Sequence, residues 1–197
     1  MGNDFASAIR PAVVLTILFA ILTGILYPLA MTGAGQLLFP AQANGSLVRE
    51  NGRVIGSAVL GQAFTSDRYF QTRPSAAGKG YDALASAGSN LGPASQALAD
   101  RVRGDIAKRR ADGATGALPA DLVTASGSGL DPDLSPDAAL AQVARVARVR
   151  GIAPGVLRAL VGRHVEHPTL GFLGEPHVNV LALNRDLDRL GGRPAAR

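Results

Sequence analysis

Between Arg10 and Arg49 the chain carries no Lys, Arg, Asp or Glu. Inside that gap lies AVVLTILFAILTGILYPLAMTGAGQLLF, from Ala12 to Phe39, framed by Pro11 and Pro40. No other feature restricts the fold as much. Wholly helical, the run would reach roughly 40 Å at about 1.5 Å per residue, and a bilayer core of about 30 Å needs only some 20 apolar residues. Ala12–Met31 is therefore read as the spanning part, with Thr32–Phe39 leaving the hydrocarbon on the far side. A cleavable signal peptide is the lesser reading. Ala41-Gln42-Ala43 fits the small-x-small cleavage pattern, but such a peptide has an apolar core of only about 7–15 residues. A buried soluble helix fits poorly with that length and no charge.

Within the span, Thr16, Ala20, Gly24 and Pro28 recur every four residues as a stripe of small side chains and one proline. Lipid tails are as apolar as Leu, so membrane helices associate by close packing, which small residues permit. Pro28 removes a backbone donor and frees the carbonyl of Gly24, which a neighbouring helix is expected to help satisfy. The plain alternative is that Gly, Ala and Pro are common in membrane helices; the packing reading is preferred. Tyr27 suits headgroup depth. Flanking charge does not decide orientation, because Arg10 and the α-amine face Asp4 on one side while Arg49 and Arg53 face Glu50 on the other. A short tail inside and a large domain outside is the simplest insertion.

The three segments are thus a short N-terminal tail over residues 1–11, a transmembrane helix with its extension over 12–39, and an extracytoplasmic domain over 41–197. Every charge except Asp4 and Arg10 falls in the last, which has the size of one packed core. The net charge of +5 comes mainly from Arg. Lys108-Arg109-Arg110 is the only basic run of three, and no aromatic-rich basic face accompanies it. Nucleic acid is excluded as a partner on that ground. Cysteine is absent, which removes disulfides, thiolate nucleophiles and Cys-ligated zinc together.

Along the domain, Gly45–Phe70 reads as β structure around the Asn51-Gly52 hairpin turn, and Gln71–Gly92 as loop. Pro93–Arg110 is a helix with Leu98, Val102 and Ile106 on one face and its basic end suiting the dipole. Ala111–Leu118 is a linker and Pro119–Thr124 a short strand. Ser135-Pro136-Asp137 starts a helix, with Ser as N-cap and Pro at its first position. That helix is expected to turn Leu140, Val143 and Ala147 inward and Arg145, Arg148 and Arg150 outward, stopping at Gly151. Pro154 opens another helix with Val156, Leu157, Leu160, Val161 and His164 on one face, ending at Pro168. A last one, Val178–Leu190, buries Val178, Leu181 and Leu187. The fold class is a single N-terminal transmembrane helix followed by one α/β (α+β) domain.

No catalytic constellation emerges. Neither Gly78-Lys79-Gly80 nor Ser126-Gly127-Ser128-Gly129 supplies a phosphate-binding loop, and Ser128 lacks nucleophile-elbow spacing. His164, Glu166, His167 and His177 could be offered as zinc ligands, but Pro168 breaks the helix they would share; a core-facing His164 and a surface His167 are preferred. Asp131-Pro132-Asp133 reads as a turn. No acid or Arg within the span marks an ion pathway. No metal and no cofactor of its own is expected.

Several stretches together closely resemble the C subunit of the bacterial Kdp high-affinity potassium-transporting ATPase. They are TGILYPLAMTGAGQLLFPAQANGSLV (Thr23–Val48), GSAVLGQAF (Gly56–Phe64), YFQTRPSA (Tyr69–Ala76), GSNLGP (Gly88–Pro93), LVTASGSGLDPDLSP (Leu122–Pro136) and GEPHVNVLALNRDLD (Gly174–Asp188). They are collinear and cover nearly the whole chain. The resemblance implies a non-catalytic accessory subunit of an ATP-driven potassium importer in the bacterial inner membrane, N-terminus cytoplasmic and domain outside. The implied partners are a channel-like potassium-translocating subunit, a P-type ATPase subunit and membrane lipid. It also implies a catalytic chaperone that raises the ATP affinity of the ATPase subunit, with ATP held through that partner. Leu60-Gly61-Gln62 corresponds to a stretch linked to that role, which makes Gln62 a candidate nucleotide-related residue; a structural turn glutamine is the preferred reading, because the bilayer separates it from cytoplasmic ATP. The alternatives carried are a membrane-anchored exported hydrolase acting through Ser128 or His164, and a solute-binding domain using Tyr69–Pro93.

Overall fold

The structure, a computed structural model, describes the backbone over residues 2–191 and side chains from Ser7. The Arg-rich tail past Gly191 and the first residue of the expected N-terminal segment lie outside the described residues. Residues 1–47 and 48–197 form two compact units.

The first unit is helical throughout. Helix α1 (Gly2–Ile21) passes through a π-turn (Leu22–Leu26) into α2 (Tyr27–Leu38), and a short α3 (Pro40–Ala43) follows. Ser7–Leu38 is long and apolar enough to cross a membrane, with none of its apolar stretch buried within the chain. The helix therefore runs past the expected span at both ends, enclosing Pro11. It stops where Phe39 turns to φ −136°, ψ 57°, and Pro40 opens the next turn. Asn44 closes that end by donating from Nδ2 to the Pro40 carbonyl at 2.7 Å and to Gln36 Oε1 at 3.0 Å.

The second unit opens on a two-stranded hairpin, β1 (Leu47–Glu50) and β2 (Arg53–Ser57). Its turn has Asn51 at φ 48° and Gly52 at φ 77°, the left-handed pair that Asn-Gly adopts most readily. No further regular element occurs until α4 (Gln96–Ala111). A 3-10 turn (Ala120–Leu122), β3 (Asp133–Leu134), α5 (Pro136–Ala141), α6 (Val143–Arg150), α7 (Pro154–Arg163), β4 (Val165–Glu166), β5 (His177–Asn179) and α8 (Val180–Leu190) follow. The three short strands make an antiparallel sheet in the order β3-β5-β4, with Val178 opposite both Leu134 and Val165. The core joins α5–α8 to this sheet through Ala138, Val143, Val146, Leu157, Leu160, Val178, Leu183 and Leu187, all buried, and takes in Phe70 from the irregular segment. A single candidate span followed by a mixed helix-and-sheet domain is the fold class read from the sequence.

Local signals explain the helix ends. Ser135 Oγ accepts from the Ala138 amide at 3.1 Å, and Gly151 ends α6 at φ 67°, where a residue without Cβ is favoured. Several expectations need correction. Pro119–Thr124 holds a 3-10 turn and no strand; Asp121 there accepts from the Ser135 amide at 2.7 Å and from its hydroxyl at 3.1 Å. β structure ends at Ser57, well before Phe70. Val178 lies on β5, and α8 starts only at Val180 because Asn179 caps it by accepting from the Ala182 amide at 3.1 Å. The helix after Ser135 is broken at Gln142 (φ −89°, ψ −11°), which shifts its helical phase. Leu140 is consequently exposed, whereas Arg145 is buried and the Arg150 side chain is almost wholly enclosed. Arg109, within the basic run that ends α4, is buried too.

Candidate functional site

The helix face comes first. Thr16, Ala20, Gly24 and Pro28 would drift roughly 120° around a regular helix at about 100° per residue. The π-turn alters this. Tyr27 N–H reaches back to the Leu22 carbonyl, an i→i+5 bond that inserts about one residue into the turn and sets the phase back by roughly 100°. Thr16 and Ala20, both ahead of the turn, stay about 40° apart, and Pro28 beyond it is brought back between them, which gives a narrower seam of low side-chain height. The turn ends immediately before Pro28, which has no amide to donate, and local π adjustment is a common accompaniment of proline in membrane helices. Thr23 Oγ1 donates to the Phe19 carbonyl at 2.7 Å. A Cβ at Gly24 would meet nothing within 4 Å in the chain itself. Glycine there is not required by the helix.

In the domain, the loop motifs interlock. Ser75 Oγ donates to the Gly129 carbonyl at 2.6 Å and accepts from the amides of Ala77 at 3.2 Å and Tyr81 at 2.8 Å. The Tyr81 hydroxyl donates to the Arg73 carbonyl at 2.6 Å. Arg73 is paired with Asp131 at 2.9 Å. The Ser128 carbonyl accepts from the Ala87 amide and the Ser86 hydroxyl, both at 3.0 Å, and the Gly61 amide donates to the Leu130 carbonyl at 2.8 Å. Gly129, at φ 68°, lies so near the loop 75–87 that a Cβ would fall 2.7 Å from both Ala77 N and Ala87 O. Only glycine fits. The segment RPSA, Ser86-Ala87 and the segment TASGSGLDP are thus parts of one hydrogen-bonded body, and an open cleft of about 530 Å³ runs beside it past Val59, Leu60, Arg73, Ser126 and Asp131.

Gln62 sits under the hairpin. Its Nε2 donates to the Ile55 carbonyl at 3.0 Å, its own carbonyl accepts from Thr72 Oγ1 at 3.0 Å, and its amide fills the space a Cβ on Gly56 would need. Its side-chain amide nitrogen and its backbone carbonyl thus each tie it to a neighbouring segment.

A second layer, absent from the sequence reading, holds the extended segment 67–72. Gln142 accepts from the Gln71 amide at 2.8 Å and donates to its carbonyl at 2.9 Å. Arg145 donates to the carbonyls of Asp67 at 2.6 Å and Tyr69 at 3.0 Å, and Arg109 to Gln71 Oε1 at 2.8 Å. Arg150 bonds the Arg68 carbonyl and Asp188, each at 2.7 Å, and lies 4.8 Å from the centre of the Tyr69 ring. Burial lowers the pKa of Arg109 and Arg145 from the usual guanidinium value. The one available signal was positional: Gln142 and Arg145 stand three residues apart beside buried Val143 and Val146, on a face otherwise apolar.

The hydrolase residues have other employment. Ser126 and Ser128 hydroxyls accept from the amides of Gly129 and Leu130. His164 pairs with Asp186 at 3.0 Å, and His177 with Glu166 at 3.7 Å. Among the described residues no group of three metal-binding side chains comes together. Hydrogen bonding to the Glu175 carbonyl raises the pKa of His177, assisted by Asp133, Glu166 and Asp131.

Residues 9–189 match the family described as KdpC: K+-transporting ATPase, c chain. The chain belongs to the KdpC family. Among curated relatives, the potassium-transporting ATPase KdpC subunit of Caulobacter vibrioides is 55% identical over 183 residues, covering 92% of this chain and 93% of that protein. The KdpC subunit of Gemmatimonas aurantiaca is 56% identical, with 92% of each chain covered. That of Methylobacterium nodulans is 52% identical over 94% of this chain and 98% of the other. The KdpC match takes in the helix face and the interlocked loops alike.

Proposed function

We propose that this chain is the non-catalytic accessory subunit of an ATP-driven potassium importer in the bacterial inner membrane. Its N-terminus is cytoplasmic and its domain extracytoplasmic. Its helix packs by the Thr16–Ala20–Gly24–Pro28 seam against a membrane-embedded partner, either the channel-like potassium-translocating subunit or the P-type ATPase subunit, with lipid around the rest. The chain steadies the assembly and, as a catalytic chaperone, raises the ATP affinity of the P-type subunit. The observation that carries this reading is the seam itself: it is narrowed by a π-turn, built around a glycine that the helix does not need, and set in a span whose apolar stretch is not buried by the described residues.

The ATP effect is read as coupling between sites, which requires only that two states of the partner bind this chain differently. Gln62 serves as a brace for β2. A bilayer core of about 30 Å lies between an extracytoplasmic Gln62 and cytoplasmic nucleotide.

Gly24→Leu tests the seam. In a lone helix the exchange should be favourable by about 0.5–1 kcal/mol, so the chain's own thermal stability should not fall while co-purification with the other subunits is lost. Retained co-purification overturns the seam. The chain has no cysteine, so Leu84→Cys, at a side chain 99% exposed, makes a unique reporter. Labelling of intact cells by an impermeant maleimide is the expected outcome; labelling only after lysis would place the domain inside.

A further inference from the structure

Between β4 and β5 the chain runs out to a tip over residues 168–174. The tip is closed by its own backbone: Thr169 and Leu173 exchange both amide–carbonyl bonds at 3.0 Å, and the Gly171 amide donates to the Pro168 carbonyl at 3.0 Å. Leu170 stands at φ 56° and Gly171 at φ 80°. Two consecutive left-handed residues suit Asn-Gly or Gly-Gly; a leucine in the first position is strained. That strain holds apolar groups in water. Leu170 is 78% exposed, Phe172 74% and Leu173 52%. Single exposed apolar residues need no explanation, but a rigid cluster of three within four positions marks a contact surface. Strained backbone concentrates at such places.

Area and charge narrow what covers it. Three side chains contribute a few hundred Å² against the roughly 1,200 Å² that a free-standing complex buries. The tip therefore cannot hold a freely diffusing partner or pair two copies by itself. It suffices as a second anchor on a partner already held close, where tethering supplies the effective concentration. A membrane surface is the poorer match: interface-seeking segments bring Lys or Arg to the headgroups, and residues 168–176 contain neither while ending in Glu175.

We propose that the Leu170–Leu173 tip is a docking knob that inserts into an apolar crevice on a membrane-embedded protein subunit of the same complex. This rests on the accessory-subunit reading above and adds the place of contact. The helix seam fastens the chain within the membrane; the knob fixes the domain against the partner.

The test uses the intact complex, purified through a tag on another subunit, with p-benzoylphenylalanine in place of Phe172. Ultraviolet irradiation should give an adduct between this chain and a larger membrane subunit. The same residue in place of Leu84 should give none. In parallel, Leu170→Gly with Phe172→Ser, which relieves the left-handed strain as it removes the apolar groups, should shorten the lifetime of the complex about tenfold. Adducts with lipid only, with a second copy of this chain, or with nothing overturn the knob, as does an unchanged lifetime. Failure of the unaltered chain to co-purify sinks the accessory-subunit reading and the knob with it; an intact complex without the adduct sinks the knob alone.

Discussion

The side-chain amide of Asn184 holds the backbone of Phe70 from both sides: Nδ2 donates to the Phe70 carbonyl and Oδ1 accepts from its amide, each at 2.9 Å. Gln142 does the same for Gln71. Two amide side chains thus take the part of a neighbouring strand for an extended segment that has none, and both are buried. Buried backbone groups need partners wherever they come from.

Asn184→Ala should accordingly destabilise more than its size suggests. It leaves a buried donor and a buried acceptor unsatisfied, a loss of about 3 kcal/mol. Urea unfolding of the full chain in detergent, followed by circular dichroism, measures it. A loss below about 1 kcal/mol would show that the clasp contributes little beyond one ordinary hydrogen bond.

Arg145 and Arg148 form a matched pair on α6. Arg145→Ala removes buried charge-assisted bonds to two carbonyls and to Gln142, so about 3 kcal/mol of stability should go. Arg148 is exposed, and its replacement by Ala should stay within about 0.5 kcal/mol. Equal effects would contradict the inward placement of Arg145.

His177 should titrate above its ordinary 6.5, visible as a raised imidazole midpoint by NMR. The native state holds the proton more tightly than the unfolded chain. The stabilisation is therefore complete below pH 6.5, the unfolded value, and disappears as pH rises through the higher native value. His177→Gln should flatten the stability difference between mildly acidic and alkaline pH. A midpoint at or below 6.5 would refute the Glu175 and carboxylate contacts. Burial also holds the Asp133 carboxyl above its ordinary 3.8, giving a second contribution of the same sign at much lower pH.

Gln62→Ala should cost about 1 kcal/mol, the worth of one bond to the Ile55 carbonyl, and Gly56→Ala should be worse, because its methyl would collide with that amide. The isolated full chain should show no heat of ATP binding by calorimetry, with or without Gln62. Nucleotide binding by the lone chain that vanishes in Gln62→Ala would refute the brace.

The sequence by itself determined whatever depends on neighbours along the chain. A single charge-free run long enough for a bilayer must satisfy its own backbone in lipid, and the helix is how it does so. The Asn51-Gly52 turn, the Ser135 cap and the Gly151 stop each follow from one residue's own stereochemistry. The interlocking loops were legible only as unexplained motifs. Tertiary structure alone decided which polar groups go inside. Arg145 and Arg150 look like solvated surface on helical periodicity, and Arg109 like part of a basic helix end, yet each finds carbonyl oxygens on segments dozens of residues away. Desolvation is offset only when those partners arrive together, and no local pattern records that.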